Sequence, residues 1–253
     1  MTKPFHAGKA AANGVLAARL GLSGYQGIAD PLGDTGVLTM FADSVDDDEL
    51  LRPWTTDWEL ERNTFKPYPC GIVAHPGIDA AIEAGGRIDD VADIESVEVS
   101  CHPLVPELMG VLQPADGLQA RFSARHGVAV GLLDGRAGLR EFSDTRATAP
   151  DVVRLRGATA LVPSSDCARD EATITVRLVS GQLVIVHVPH ARGSLARPLT
   201  DAELLGKVDA LTEPVLGAGS AARILQLVDG INSAAGFADI VAAARPRQNG
   251  QAL

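Results

Sequence analysis

Strict alternation of hydrophobic and polar residues is confined to the middle of the chain. Ile94–Ser100 alternates, and Ala172–Leu178 and Leu183–Val188 alternate on either side of a Ser-Gly pair at 180–181. A period of two is typical of half-buried strands, and the Ser-Gly pair suits the tight turn of a hairpin. We therefore predict a strand over 94–100, a hairpin over 172–188 and a further short strand over Ala158–Val162.

Helical patterns surround these strands. The capping box Thr200-Asp201-Ala202-Glu203 predicts the start of a helix that runs to about Leu211. Two prolines fix Phe65–Cys70 as an extended turn, which leads into a helix over Ile78–Ala84 that a Gly-Gly pair ends. The other predictions are helices over His6–Leu22, Asp30–Phe41, Phe122–Leu133 and Asp151–Arg156, helices from about Ser220 and Ala234, and an acidic turn over Ser44–Leu50.

The order along the chain is helices, then strands mixed with helices, then helices again. This order predicts an α+β fold in which a small α/β domain is inserted in a helical domain or caps it. The first helix is rich in alanine and glycine and would expose a broad apolar face if it were isolated, so it needs partners.

The composition is that of a folded acidic protein. Hydrophobic residues make up 46% and charged residues 21% of the 253 residues, and the formal net charge is −10. A negative surface repels the phosphates of nucleic acids and anionic lipids, so neither is an expected partner.

Targeting and cysteine patterns favour the cytoplasm. No apolar run approaches the roughly 20 residues that span a bilayer, and charged residues interrupt the N-terminal segment where a signal peptide would need an apolar region. Cys70, Cys101 and Cys167 are far apart and form no CxxC pair, which predicts reduced thiols rather than disulfides or a metal site.

Common catalytic motifs are absent from the sequence. It contains no phosphate-binding loop, no G-x-S-x-G elbow and no H-E-x-x-H pair. Gly217–Ala222 fits a permissive G-x-G-x-x-A pattern, but it follows Pro214 instead of a strand and is better interpreted as a helix start. No metal or organic cofactor is therefore expected, and the titratable residues in unusual local settings are Lys3, His6, Lys66 and His126.

The segment Thr2–Ala18, TKPFHAGKAAANGVLAA, resembles the K-x-x-H-x-G-x-A-A-x-x-G segment of the MmgE/PrpD family. That family includes 2-methylcitrate dehydratase, cis-aconitate decarboxylase and iminodisuccinate epimerase. Four further stretches agree in the same order: Phe65–Cys70 with Ile78–Ala80, Ala120–Ser123 through Val128–Ala129 to Gly135, the hairpin near Gly181, and Pro198–Thr200 with Glu203 and Lys207. Together they span essentially the whole chain.

The resemblance implies a large helical domain, formed here by residues 1–64 and 198–253, and a smaller α/β lid domain over 65–197, with the substrate between them. It also implies a homodimer. The implied activity is that of a lyase or isomerase of the dehydratase type, which acts on a small di- or tricarboxylate such as 2-methylcitrate or a relative. Proton transfer would need no metal or cofactor.

Site residues follow from the same resemblance. Lys66 matches a lysine of the family's site and is expected to bind a carboxylate or handle a proton. His126 lies where some relatives have a tyrosine on the lid helix and is the second candidate catalytic residue. Lys3 is expected to clamp a carboxylate, and His6 to support substrate binding. Cys70, His75 and Asp79 are expected to be structural.

The chain departs from the family in one respect. The upstream helices, which carry an Asp and His residues implicated in proton transfer, do not precede the K-x-x-H segment. The expected explanations are a truncated gene, a wrongly assigned start, or one half of a split enzyme with a separate N-terminal helical subunit. The alternative function is thus an inactive fragment or partner subunit that keeps the lid and the dimerising helices.

Overall fold

A mixed four-stranded sheet organises the middle of the chain in the computed structural model of the protein, which describes residues 2–33, 36–50, 58–231 and 234–246. The strands are β1 (Ile94–Cys101), β2 (Thr159–Pro163), β3 (Ala172–Leu178) and β4 (Leu183–Val188). Their order is β2-β1-β3-β4, with β1 and β2 parallel and the other neighbours antiparallel. The predicted strands and hairpin are confirmed.

Helices pack on one face of this sheet and on one another. They are α4 (His75–Gly85), α5 (Leu104–Leu108), α6 (Gly117–Ala120), α7 (Ala124–Asp134), α8 (Asp144–Ala147) and α9 (Pro150–Gly157), with turns of 3-10 helix at Ile72–Ala74 and Val91–Asp93. α4 packs on β3 and β4, and α7 packs on α4, α9 and β2. The four-residue helices were not predicted, because segments this short lack a full helical period.

The alternation seen in the sequence determines which strand residues enter the core. Val97 and Val99 of β1 and Ile174 and Val176 of β3 are buried beneath the helices. Glu98, between the two valines of β1, is exposed on the other face. A sheet that packs against helices on one side only needs one apolar face. The alternation of apolar and polar residues along β1 and β3 provides that face.

In the described part of the chain, three helices follow the sheet. They are α10 (Asp201–Leu216), α11 (Ser220–Asp229) and α12 (Ala234–Ala243). The capping box is present: the Thr200 hydroxyl accepts from the Glu203 backbone N–H, and the Glu203 side chain accepts from the Thr200 N–H. α10 continues beyond the predicted end at Leu211 and includes Pro214. α11 begins after Gly219, as the helix-start interpretation of the glycine pattern predicted.

The chain divides into two compact units, residues 1–61 and 62–253. The described part of the first unit holds α1 (Thr2–Leu22), α2 (Val37–Phe41) and α3 (Asp47–Leu50), and a 3-10 turn follows at Glu59–Arg62. The predictions for residues 30–41 and 44–50 were wrong in detail. The Asp30 side chain accepts hydrogen bonds from the backbone of Leu32 and Gly33, which favours a turn over a helix there.

The α+β class is confirmed, while the grouping of 1–64 with 198–253 as one domain stays a prediction. Among the described residues, we find no helical segment with the length and hydropathy of a membrane span.

Candidate functional site

The turn that carries Lys66 alternates between inward and outward side chains. Tyr68 and Cys70 are buried, whereas Lys66 is exposed. The Lys66 ammonium donates to the Cys70 carbonyl at 3.3 Å, so the lysine folds back along its own turn. Prolines at 67 and 69 restrict the backbone on either side of Tyr68 and so hold the turn that positions Lys66.

A buried carboxylate ties this turn to α4 and to the loop after β4. The Tyr68 hydroxyl donates to Oδ1 of Asp79, and the backbone N–H of Arg192 donates to Oδ2 at 2.6 Å. Burial raises the pKa of Tyr68 well above its ordinary value, and the neighbouring Asp79 carboxylate raises it further. Tyr68 therefore keeps its proton and remains a donor to Asp79.

The Arg192 side chain extends the same network. One terminal nitrogen donates to the Tyr68 hydroxyl at 3.3 Å and the other to Glu203 at 3.1 Å. The guanidinium carbon also lies 5.4 Å from the centre of the Tyr68 ring, within cation–π range. Since Glu203 is part of the capping box of α10, Arg192 connects the start of α10 to the Lys66 turn. Arg197 adds a longer contact, 3.9 Å from Oδ2 of Asp79.

His75, at the start of α4, packs against Tyr68 of this network and is 1% exposed. Its ring meets Tyr68 edge-on at 5.3 Å, and its Nε2 has no hydrogen-bond partner. Burial lowers the pKa of His75 to about 4, and the positive charges of Lys66, Arg192 and Lys207 act in the same direction. The imidazole is therefore neutral at physiological pH.

Among the described residues, cavities lie next to this network. The arginine cavity, about 360 Å³, is lined by Pro67, Tyr68, Asp79, Ile82, Glu83, Gly135, Arg136, Ala137, Gly138, Arg192 and Arg197. The lysine cavity, about 310 Å³, is lined by Lys66, Pro67, Tyr68, Pro69, Gly138, Leu139, Lys207, Ala210 and Leu211. The histidine cavity, about 240 Å³, is lined by Phe65, Ile72, Val73, His75, Leu104, Arg169, Asp170, Ala191, Arg192, Gly193 and Ser194.

The arginine and lysine cavities differ in charge balance. Arg192 and Arg197 of the arginine cavity contact Asp79, and Arg136 pairs with Glu141 at 2.9 Å. The lysine cavity is lined by two lysines and by no Asp or Glu residue. In the part of the chain that the structure describes, neither Lys66 nor Lys207 forms an ion pair with Asp or Glu. The lysine cavity is thus the better place for an anionic ligand.

The structure places the four predicted site residues in different settings. Lys66 lines the lysine cavity. His126 is fully buried within α7, where its Nε2 lies 2.9 Å from the Glu141 carbonyl and its ring packs edge-on against Phe142. It lines none of the three cavities described above, and its catalytic role stays a prediction. His6 is exposed on α1, and the Lys3 side chain lies outside the described part.

Arg192 and Lys207 were not predicted as site residues. Arg192 lies in a loop with no periodicity that could indicate its direction. Lys207 follows Glu203 by four positions, the spacing that puts two helical residues on one face, so the capping box could have indicated its orientation. In the described residues we find no group of three or more His, Cys, Asp or Glu side chains able to hold a metal ion.

The two buried histidines predict a loss of stability in mild acid. Burial lowers the pKa of both His75 and His126 to about 4, against 6.5 for the free side chain. Between these values only the unfolded chain binds the proton, so the stability present above pH 6.5 is lost as the pH falls. We expect a decrease in the free energy of unfolding of about 2 kcal/mol per histidine from pH 7 to pH 5.

Urea unfolding at the two pH values measures this decrease. His126→Gln should reduce the pH dependence by one histidine's share. Equal pH dependence in the wild type and His126→Gln would show that His126 does not titrate in this way.

The chain belongs to the MmgE/PrpD family, because the family model described as the MmgE/PrpD C-terminal domain matches residues 68–233, more than half of its length. The family predicted from the sequence is thereby confirmed, and the match includes Tyr68, Asp79, Arg192 and Lys207. A comparison with curated proteins finds none that matches.

Proposed function

We propose that the protein is a lyase or isomerase of the dehydratase type that acts on a small di- or tricarboxylate, such as 2-methylcitrate or a relative, by proton transfer without a cofactor. The observation that carries the proposal is the lysine cavity. It lies between residues of the proposed lid, such as Lys66 and Leu139, and residues of α10 in the proposed helical domain, such as Lys207 and Leu211.

The proposed proton transfer needs a positive charge beside the substrate's carboxylate. Removal of a proton next to a carboxylate places negative charge on an enolate-like group, and a fixed cation that faces this group lowers the barrier. A volume of about 310 Å³ is at the lower end of the range for small-molecule pockets, so it suits a compact acid. We assign Lys66 to the carboxylate from which the proton is removed.

The other assignments rest on the family. Lys3 and His6 would bind a second part of the substrate, and His126 would act in proton transfer. The His126 ring is fully buried, and its Nε2 is hydrogen-bonded to the Glu141 carbonyl. To contact a substrate, the ring would need α7 or the 139–142 segment to move.

Proton exchange in D₂O tests the proposal. The protein is incubated with 2-methylcitrate, citrate, cis-aconitate and an aspartate-derived dicarboxylate, and the C–H and alkene signals are followed by ¹H NMR. We expect exchange or elimination for at least one acid, and a loss of at least about 100-fold in Lys66→Gln. Arg177→Gln removes an exposed charge on β3 and should retain full activity. Absence of exchange with every acid contradicts the proposal.

A second candidate function has its own observation in its favour. Large apolar side chains of α11 and α12, and Ile231 in the segment between them, are exposed; among them are Leu225, Val228 and Phe237. Exposed apolar surface on successive helices is typical of an interface. The chain would then be a subunit that pairs with a second copy or with a separate helical subunit. Light scattering of the purified chain distinguishes these two partners, since a monomer at high concentration contradicts pairing with a second copy.

A further inference from the structure

We propose that Lys207 on α10 is a second carboxylate-binding residue, which acts across the lysine cavity from Lys66 and makes the site select acids with two carboxylates over acids with one. The proposal rests on the proposed function, because it names the ligand class of the same site. It adds a residue that belongs to none of the predicted site positions.

The first support is the way in which α10 is held. Glu203 closes the capping box with Thr200 and accepts a hydrogen bond from Arg192 at 3.1 Å. Lys207 lies one helical turn after Glu203, and Leu211 one turn after Lys207. Residues spaced by four share a helix face, so the contact between Glu203 and Arg192 turns the Lys207 face toward the Lys66 turn.

The second support is the composition of the walls. Apart from its two lysines, the lysine cavity is lined by proline, tyrosine, glycine, leucine and alanine. Within the described part of the chain, Lys66 has only the Cys70 carbonyl as an acceptor, and no hydrogen bond is found for Lys207. Two ammonium groups that share apolar walls repel each other, and a dianion between them removes this repulsion.

The third support is a common neighbour. Lys66 and Lys207 both lower the pKa of the buried His75, so the two charges act on the same region of the interior. His75 is neutral and has an unpartnered Nε2, and it therefore gives neither lysine a counterion. A bound ligand can therefore supply the anionic partner that the described part of the chain does not give either lysine. A short aliphatic dicarboxylate fits both the volume and the apolar walls.

Calorimetric titration of the full chain with succinate and with butyrate tests this inference. These acids have equal carbon number and differ in the second carboxylate. We expect succinate to bind the wild type at least about tenfold more tightly than butyrate, a difference that reports one added charge-assisted contact. Lys207→Gln should weaken succinate binding at least about tenfold and butyrate binding less than about threefold.

Two further variants guard against an effect of misfolding. Lys207→Arg keeps the charge and should retain the preference for succinate, and Arg177→Gln, which removes an exposed charge on β3, should leave both affinities unchanged. The inference is overturned if the wild type does not prefer succinate, or if Lys207→Gln weakens both acids equally. The proposed function fails separately, when succinate binds as expected but no acid exchanges a proton in D₂O.

Discussion

Gly193→Ala should lower the free energy of unfolding by about 3 kcal/mol and abolish carboxylate binding at the lysine cavity. Gly193 has φ +82°, and a Cβ there would lie 2.1 Å from the backbone oxygen of Phe65. The alanine therefore adds both a strained backbone and a clash with the residue directly before Lys66. Because the obstacle is backbone, the Lys66 turn and the loop that holds Gly193 have to separate.

A matched glycine separates these two effects. Gly181, in the hairpin turn, has φ +84° but open space where its Cβ would be. Gly181→Ala should therefore cost only the strain, about 1 kcal/mol, and leave carboxylate binding intact. Urea unfolding and succinate titration of both variants measure the difference. Equal losses in the two variants would mean that the contact between Gly193 and Phe65 does not hold the Lys66 turn.

Asp79→Ala should destabilise the protein by about 3–5 kcal/mol, the cost of removing one partner from a buried charged network. The Asp79 side chain is 6% exposed and accepts from the Tyr68 hydroxyl and the Arg192 backbone. Its loss leaves the Tyr68 hydroxyl and the Arg192 backbone N–H without this acceptor. It also removes one carboxylate from the surroundings of the Arg192 guanidinium, which keeps its hydrogen bond to Glu203. Asp79→Asn keeps the shape and one acceptor oxygen and should cost less.

An exposed, hydrogen-bonded carboxylate is the control for Asp79. Asp170 pairs with His190 at 2.8 Å, but its side chain is 39% exposed. Asp170→Ala should cost less than about 1 kcal/mol, because solvent screens an exposed pair. Chemical unfolding curves give both values. If Asp79→Ala loses no more free energy of unfolding than Asp170→Ala, then Asp79 does not stabilise the Lys66 turn.

Local sequence signals predicted those parts of the fold that depend on neighbouring residues. The hairpin needs only two alternating segments and a Ser-Gly turn, and the start of α10 needs only Thr200 and Glu203. Both were predicted at the positions where they occur. The α+β class followed from the order of such elements, since each must bury one face against another.

The polar network of the site could not be predicted in this way. The hydrogen bond from Arg192 to Asp79 spans 113 positions, and the one from Arg192 to Tyr68 spans 124. No local period encodes contacts at this separation. His126 illustrates a related difficulty: its helix is apolar on several sides, so the pattern does not indicate whether a polar residue faces a cleft or the core. The structure places the His126 ring in the core.

Lysine NMR tests the central claim, that the lysine cavity binds small polycarboxylates, most directly. The chain has four lysines, Lys3, Lys9, Lys66 and Lys207, so [ε-¹³C]lysine labelling gives four signals, each assignable by one Lys→Arg variant. Titration with succinate should shift the Lys66 and Lys207 signals with one common dissociation constant and leave the Lys9 signal unchanged. Unchanged Lys66 and Lys207 signals at saturating succinate would contradict the claim.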